Sequence, residues 1–242
     1  MSAQAGGADA EVFAEVARSL LAQEDVQQTL QKIVDLAVET LDGCDCAGIT
    51  FLKGRQFSTP AASSDVPRKV DAIQYETGEG PCLDAIREHD VFRTGDLEHE
   101  RRWPKFSPRA REETGVTSMV CFRLFVDGDT LGALNLYSKA RDAFDDEAVA
   151  VGSVFAAHAA VALSSALHDE QMEEALQSRD VIGQAKGIIM AREGVDADEA
   201  FDMLRRASQR VNVKLRDIAR QIAESAAKSG PPASGDGEQG GA

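Results

Sequence analysis

The stretch Thr117–Ser138, TSMVCFRLFVDGDTLGALNLYS, decides the fold. Two apolar runs flank Asp127-Gly128-Asp129, and an Asp-Gly step between such runs signals a β-hairpin, because glycine supplies the positive φ that a tight turn demands. Toward the N-terminus, Cys46–Gly54 (CAGITFLKG) reads as a short apolar strand, and Arg55–Ser63 (RQFSTPAAS) as its hairpin partner across Lys53-Gly54. Val91–Leu97 (VFRTGDL) reads as a further strand ending in a loop. Asp65–Tyr75 has a helical pattern with Pro67 in its first turn, and the segment after it turns at Gly78 and Gly80 before a short helix from Pro81. Arg101–Gly115 is a polar, partly helical connection. Ahead of the strands, one helical period runs from Asp9 (Phe13, Val16, Leu20), after small and featureless residues 1–8. A second begins at the candidate N-cap Asp25 (Leu30, Ile33, Val34, Ala37) and stops at Gly43.

After the hairpin a long helix starts near Asp145 or Asp146, and no proline follows until Pro231. Val151, Val154, Phe155, Val161 and Leu163 are expected to face the strands. Farther on, Ala175, Ile182 and Ile189 recur every seven residues with Ala185 between the last two, a seam suited to pairing with another helix. Gly194 is placed to end this helix, and Asp196 with Glu199 resembles a capping box for the next. That helix carries a Phe201, Leu204, Ala207, Val211 stripe, and a turn near Val211-Asn212 leads to a last helix with Leu215, Ile218, Ala219 and Ile222 inward. The order predicts an α+β fold: an antiparallel sheet with helices on one face, joined by the long helix to an all-α three-helix module. The boundaries are 11–168 and 169–228, with a tail at 229–242 too poor in apolar residues to fold.

Charge separates the same two parts. The chain of 242 residues carries a formal net charge of −15, yet residues 1–171 hold 16 Lys/Arg against 29 Asp/Glu while residues 172–228 hold ten of each. The bases of the balanced part, Arg179, Lys186, Arg192, Arg205, Arg206, Arg210, Lys214, Arg216 and Arg220, read either as solvated helix faces or as phosphate contacts. With Phe201 as its only aromatic, base stacking is not expected to be the main recognition mode. Gly187, within Ala185-Lys186-Gly187, costs a helix about 0.5–1 kcal/mol against alanine, so close approach of the third helix or of a nucleic acid is expected there.

The four cysteines have no paired metal spacing and read as small buried hydrophobes. Ala148–Leu167 runs twenty residues without a charge, but alanine, glycine, serine and His158 dilute it, so a helix packed against protein is expected, without a membrane. The N-terminus lacks the basic and apolar regions of a secretory signal, which points to the cytoplasm. His158 is expected to pack or lie at an interface, and Trp103 and Phe106 either line a pocket or anchor their loop. No nucleophile elbow, Walker loop or zinc-protease motif is present, so the sequence makes no positive case for an enzyme.

Met172–Ala227 resembles an ANTAR domain, the three-helix RNA-binding module of bacterial antitermination regulators. SR-x-x-I-x-x-AKG-I-x-M, EAF-x-x-LRRAS and NVKLRDIA, in that order, carry the likeness. Residues 11–168 resemble a GAF sensor domain through TGEGPCLDAI, the hairpin and FDDE. The Asn-Lys…Phe…Asp-Glu pattern of cyclic-nucleotide-binding GAF domains is not reproduced, since Leu136 follows Asn135 and Phe144 abuts the acidic run, and no cofactor is expected. The combined resemblance implies a homodimer, formed through the joining helix, that binds paired hairpins in leader RNA under control of a small-molecule ligand in the GAF domain. Lys186, Arg179, Arg206 and Arg210 are the first candidates for RNA contact, with Arg205, Lys214 and Arg216 behind them. A DNA-binding regulator, with Val211–Ile222 as part of a helix-turn-helix, and a protein-interaction adaptor are the competing readings.

Overall fold

The computed structural model describes residues 2–54, 56–88 and 90–229. They divide into two compact units, the first ending at Glu170 and the second beginning at Gln171. In the first unit, helices α1 (Ser2–Leu21) and α2 (Val26–Thr40) precede strands β1 (Cys46–Lys53) and β2 (Gln56–Ala62). Helices α3 (Asp65–Thr77) and α4 (Pro81–Glu88), strand β3 (Phe92–Thr94) and helix α5 (Phe106–Thr114) follow. The hairpin β4 (Ser118–Val126) and β5 (Asp129–Ser138) then leads to α6 (Asp146–Glu193), which runs on into the second unit. There α7 (Ala197–Val211) and α8 (Leu215–Ser229) complete the three helices. Helix α1 starts seven residues before the periodic pattern does. The tail expected to be disordered lies outside the described residues, apart from Ser229, which closes α8.

The five strands form one antiparallel sheet in the order β2-β1-β5-β4-β3. The Asp127-Gly128 turn, with both residues at positive φ, sets the register that pairs Val126 with Asp129 and Ser118 with Ser138. The expected helical face is present: α1, α2 and α6 bury Leu20, Ile33, Val34 and Phe155 against Ile49, Phe122, Leu124 and Leu134, whereas Val154 and Val161, expected to face the strands, are 44% and 58% exposed. The opposite face is covered as well, by α3, α4 and α5, where Val70, Leu83 and Phe106 pack on Met119, Cys121 and Tyr137. The reason is legible in β4, whose apolar run does not alternate; a strand buried on both faces needs no polar side.

Caps fix the helix ends. Asp25 accepts from Gln28 N at 2.7 Å, Asp145 from Ala148 N at 2.8 Å, and Asp196 from the amides of Asp198 and Glu199 at 3.0 and 2.9 Å. Gly194 stops α6 in the left-handed region, at φ 68°. At Gly152 a Cβ would lie 2.4 Å from the Phe122 ring, so the glycine lets α6 settle onto β4. By length and composition α6 is long and apolar enough to cross a membrane, but Phe155, Ala156, Ala159, Ala160, Ala162 and Leu163 of that window lie in the sheet core. Trp103 and Phe106 are buried anchors: the indole Nε1 of Trp103 donates to Asp84 Oδ2 at 2.6 Å.

Candidate nucleic-acid interface and sensor core

The three-helix module is held by a small core of Ala185, Ile189, Ala200, Leu204 and Ala219, with Ile182, Leu215 and Ile218 packed around it. The Ile182–Ile189 seam is therefore filled within the chain by α7 and α8. Ala185 is buried as expected, whereas a Cβ on Gly187 would meet nothing within 4 Å. The expected approach of the third helix to Gly187 is thus not what its small size serves.

The candidate bases fall into distinct settings. Arg179 and Lys186 lie on α6 and line a groove of about 640 Å³ together with Ser178, Asp180, Gly183 and Phe201. The Lys186 ammonium stands 5.8 Å from the Phe201 ring centroid. Arg205 follows Phe201 by one helical turn and is paired with Asp202 at 2.9 Å. Arg206 and Arg210 follow Phe201 by five and nine residues, which at 3.6 residues per turn puts them on the far side of α7, away from the groove. Lys214 is in the α7–α8 turn, its carbonyl accepting from Asp217 N at 2.9 Å. Arg216 is tied down, with its guanidinium 3.1 Å from Glu174 and 3.9 Å from Asp217. Among the described residues, Arg179, Lys186, Arg206, Arg210 and Lys214 have no carboxylate within ion-pair distance. The structure thus groups Arg179 with Lys186 and separates both from Arg206 and Arg210.

Sequence reading missed a polar centre in the first unit. Asp71, on α3, is fully buried and accepts hydrogen bonds from Thr59 Oγ1 at 2.8 Å, Tyr137 OH at 2.8 Å, Thr50 Oγ1 at 3.2 Å and Gln74 Nε2 at 3.2 Å. Asn135 Nδ2 is 3.4 Å from the same carboxylate and 2.9 Å from Thr50 Oγ1. No Lys, Arg or His among the described residues pairs with Asp71, so burial raises its pKa to about 6 against the lowering effect of these donors. Asn135 Oδ1 is buried without a partner. The available signal was a carboxylate on the buried stripe of α3, beside Val70 and Ile73, facing polar residues on inward strand positions.

The cysteines behave as apolar fillers. Burial pushes Cys44 up to about 12 and Cys46 to about 11, and raises Cys82 and Cys121 well above the ordinary thiol range. His158 stacks on Phe13 with centroids 6.0 Å apart, a packed histidine as expected. Asp96, Glu98 and His99 bring their ligand atoms within 4.8 Å of one another, but Arg141 already bridges the two carboxylates at 3.4 and 2.5 Å.

Two family models match this chain: a GAF domain over residues 23–164 and an ANTAR domain over residues 170–222. Among curated proteins, the anaerobic nitric oxide reductase transcription regulator NorR of Shigella flexneri is 28% identical over 207 residues, covering 80% of this chain and 40% of that protein. The Escherichia fergusonii NorR gives the same identity and coverage, so the chain spans about two fifths of the length of these relatives. Among solved structures, the GAF domain of a Coxiella burnetii phosphoenolpyruvate-protein phosphotransferase superposes with a TM-score of 0.54 at 16% identity, over 67% of this chain and 96% of that one. The reduced form of fRMsr of Staphylococcus aureus superposes with a TM-score of 0.51 at 14% identity, over 64% and 94% of the two chains. At these identities the structures speak for the fold alone.

Proposed function

Because the chain belongs to the GAF domain family and carries an ANTAR domain behind its GAF domain, we propose that this sensing regulator is an RNA-binding transcription antiterminator. Residues 11–168 act as the sensor and 169–228 bind paired hairpins in leader transcripts. The observation that carries this reading is the pairing of Arg179 and Lys186, without carboxylate partners, on one groove of the ANTAR module. Two cations without carboxylate partners, set together on one groove, are positioned for phosphate, and unstacked loop bases offer the readable edges that A-form stems withhold. Arg205 stands next to the groove; Arg206, Arg210 and Lys214 meet the RNA backbone from the far side, and Arg216 braces α6 against α8.

The regulator works as a homodimer in the cytoplasm. Support for pairing comes from α6 itself, where Met172 and Leu176, one turn apart, are 51% and 56% exposed. Two modules in one dimer match two hairpins on one RNA, and the joined sites raise the effective concentration of the second contact. A small ligand would act through the GAF domain, and the protein has no catalytic role. The name of the NorR relatives, transcription regulators, agrees with the regulatory class.

Filter binding of the intact chain to a two-hairpin leader RNA tests the reading, with duplex DNA as competitor. Hairpin RNA retained in excess duplex supports it; equal competition by duplex points to a DNA regulator, and no retention of either sinks it.

A further inference from the structure

Phe201 is the only aromatic residue after Glu170, and it is not in the module's core. Its neighbours Ala200 and Leu204 are buried while Phe201 is 38% exposed at the rim of the groove. Part of the ring is thus available to a ligand in the groove. The groove beside it contains both cations and one carboxylate: Lys186, Arg179 and Asp180. Its floor includes Gly183, where a Cβ would meet nothing within 4 Å, so a ligand can come close to the α6 backbone.

We propose that this groove is the subsite for one unpaired RNA base, stacked on the Phe201 ring. This rests on the RNA-binding reading above and gives it a specific contact. A base has an aromatic face for Phe201, a flanking phosphate for Lys186 and Arg179, and an edge for Asp180. The Lys186 ammonium lies near the outer limit of a cation–π contact, so moving it to a phosphate gives up little. Asp180 selects the edge. A carboxylate accepts from the exocyclic amino group of cytosine, adenine or guanine, whereas the one donor on uracil's pairing edge, N3–H, lies between two carbonyl oxygens that repel it, so an amino-bearing base is the preferred occupant. The scarcity of aromatics in the module is then consistent with a single stacked base and not with a stacking platform. The groove is about 640 Å³, within the range of small-ligand sites.

The test uses the intact chain and a pool of hairpin RNAs with randomised loops. The RNA that emerges is resynthesised with 2-aminopurine at successive loop positions. Binding is expected to quench fluorescence at one position. Phe201→Leu is expected to weaken binding about ten- to a hundredfold and abolish that quenching, while the dependence of affinity on salt keeps its slope. Phe201→Tyr retains both, which separates stacking from a general effect on the helix. Asp180→Asn lets uracil compete at that position. RNA bound by Phe201→Leu as tightly as by the wild type, or no quenched position, overturns the stacked base and leaves the RNA-binding reading standing. A pool that yields no bound RNA sinks both.

Discussion

Replacing Asp71 with asparagine isolates a fully buried carboxyl that has no cation partner among the described residues. The wild-type carboxyl titrates at about 6 in the folded protein against 3.8 for an ordinary aspartate. Its proton is held more tightly in the folded state, so the site contributes stability that is fully present below about pH 3.8 and is lost as pH rises through 6. A shift of about two pKa units corresponds to about 3 kcal/mol, of which about 2 kcal/mol falls between pH 4.5 and 7.5. Other carboxylates act in the opposite sense. Burial works to raise Glu100, but hydrogen bonds from Arg102 bring it down to about 2, so its stabilising effect is lost only in strong acid. The clean quantity is the stability difference between wild type and Asp71→Asn, since Glu100 is common to both. Trp103 is the only tryptophan of the chain and sits in the α3–α5 core, so urea unfolding followed by its fluorescence reports this unit. Relative to the variant, the wild type is expected to gain about 2 kcal/mol on going from pH 7.5 to 4.5. A difference independent of pH would refute the assignment of a buried, cation-free carboxylate.

The RNA-contact assignment predicts that Lys186→Ala and Arg179→Ala each weaken binding of hairpin RNA and reduce the salt slope by roughly one counterion, read by filter binding at several salt concentrations. Arg216→Ala, which frees Glu174, is expected to lower the melting temperature of the module more than it alters the salt slope, by calorimetry against filter binding. Gly187→Ala adds a methyl group in open space within a helix, so it should stabilise the module by about 0.5–1 kcal/mol while leaving its fold unchanged by circular dichroism. With three of the four thiols buried and all raised in pKa, Ellman's reagent should react slowly with the native chain and release all four thiols in denaturant.

Local signals in the sequence carried most of the architecture, because they act over a few residues. The Asp127-Gly128 turn, the Asp25 and Asp196 caps and the Gly194 stop each depend on adjacent backbone groups, and each is found where the residues placed it. What escaped was long-range. That both faces of the sheet are covered follows from α3, α4 and α5 folding back on Met119, Cys121 and Tyr137, and the periodicity of those helices does not say which face they meet. The Ile182–Ile189 seam has the same ambiguity: a heptad-like stripe fits a partner chain as well as it fits α7 and α8. The Asp71 centre is assembled from α3, β1, β2 and β5, with Asn135 sixty-four residues along the chain from Asp71, a separation no spacing rule spans. The bases of the ANTAR module were all visible as residues, but not their division into paired and unpaired.

That division bears more on function than the net charge does. An arginine held by Asp202 or Glu174 already commits one guanidinium nitrogen within the module, and removing it leaves a carboxylate unpaired as well as losing a cation. Arg179 and Lys186 leave no carboxylate unpaired behind, and within the module the loss of Lys186 removes only its distant contact with the Phe201 ring. Gly187 is not among the residues lining their groove, although the helix gives up stability there and no side chain of the described module fills the space that results. Absent bulk at Gly187 costs the free helix stability, whereas solvated cations and a single exposed ring cost little. The two cations and the ring occur together on the groove formed by α6 and Phe201, and a ligand with a phosphate and a flat base engages both at once.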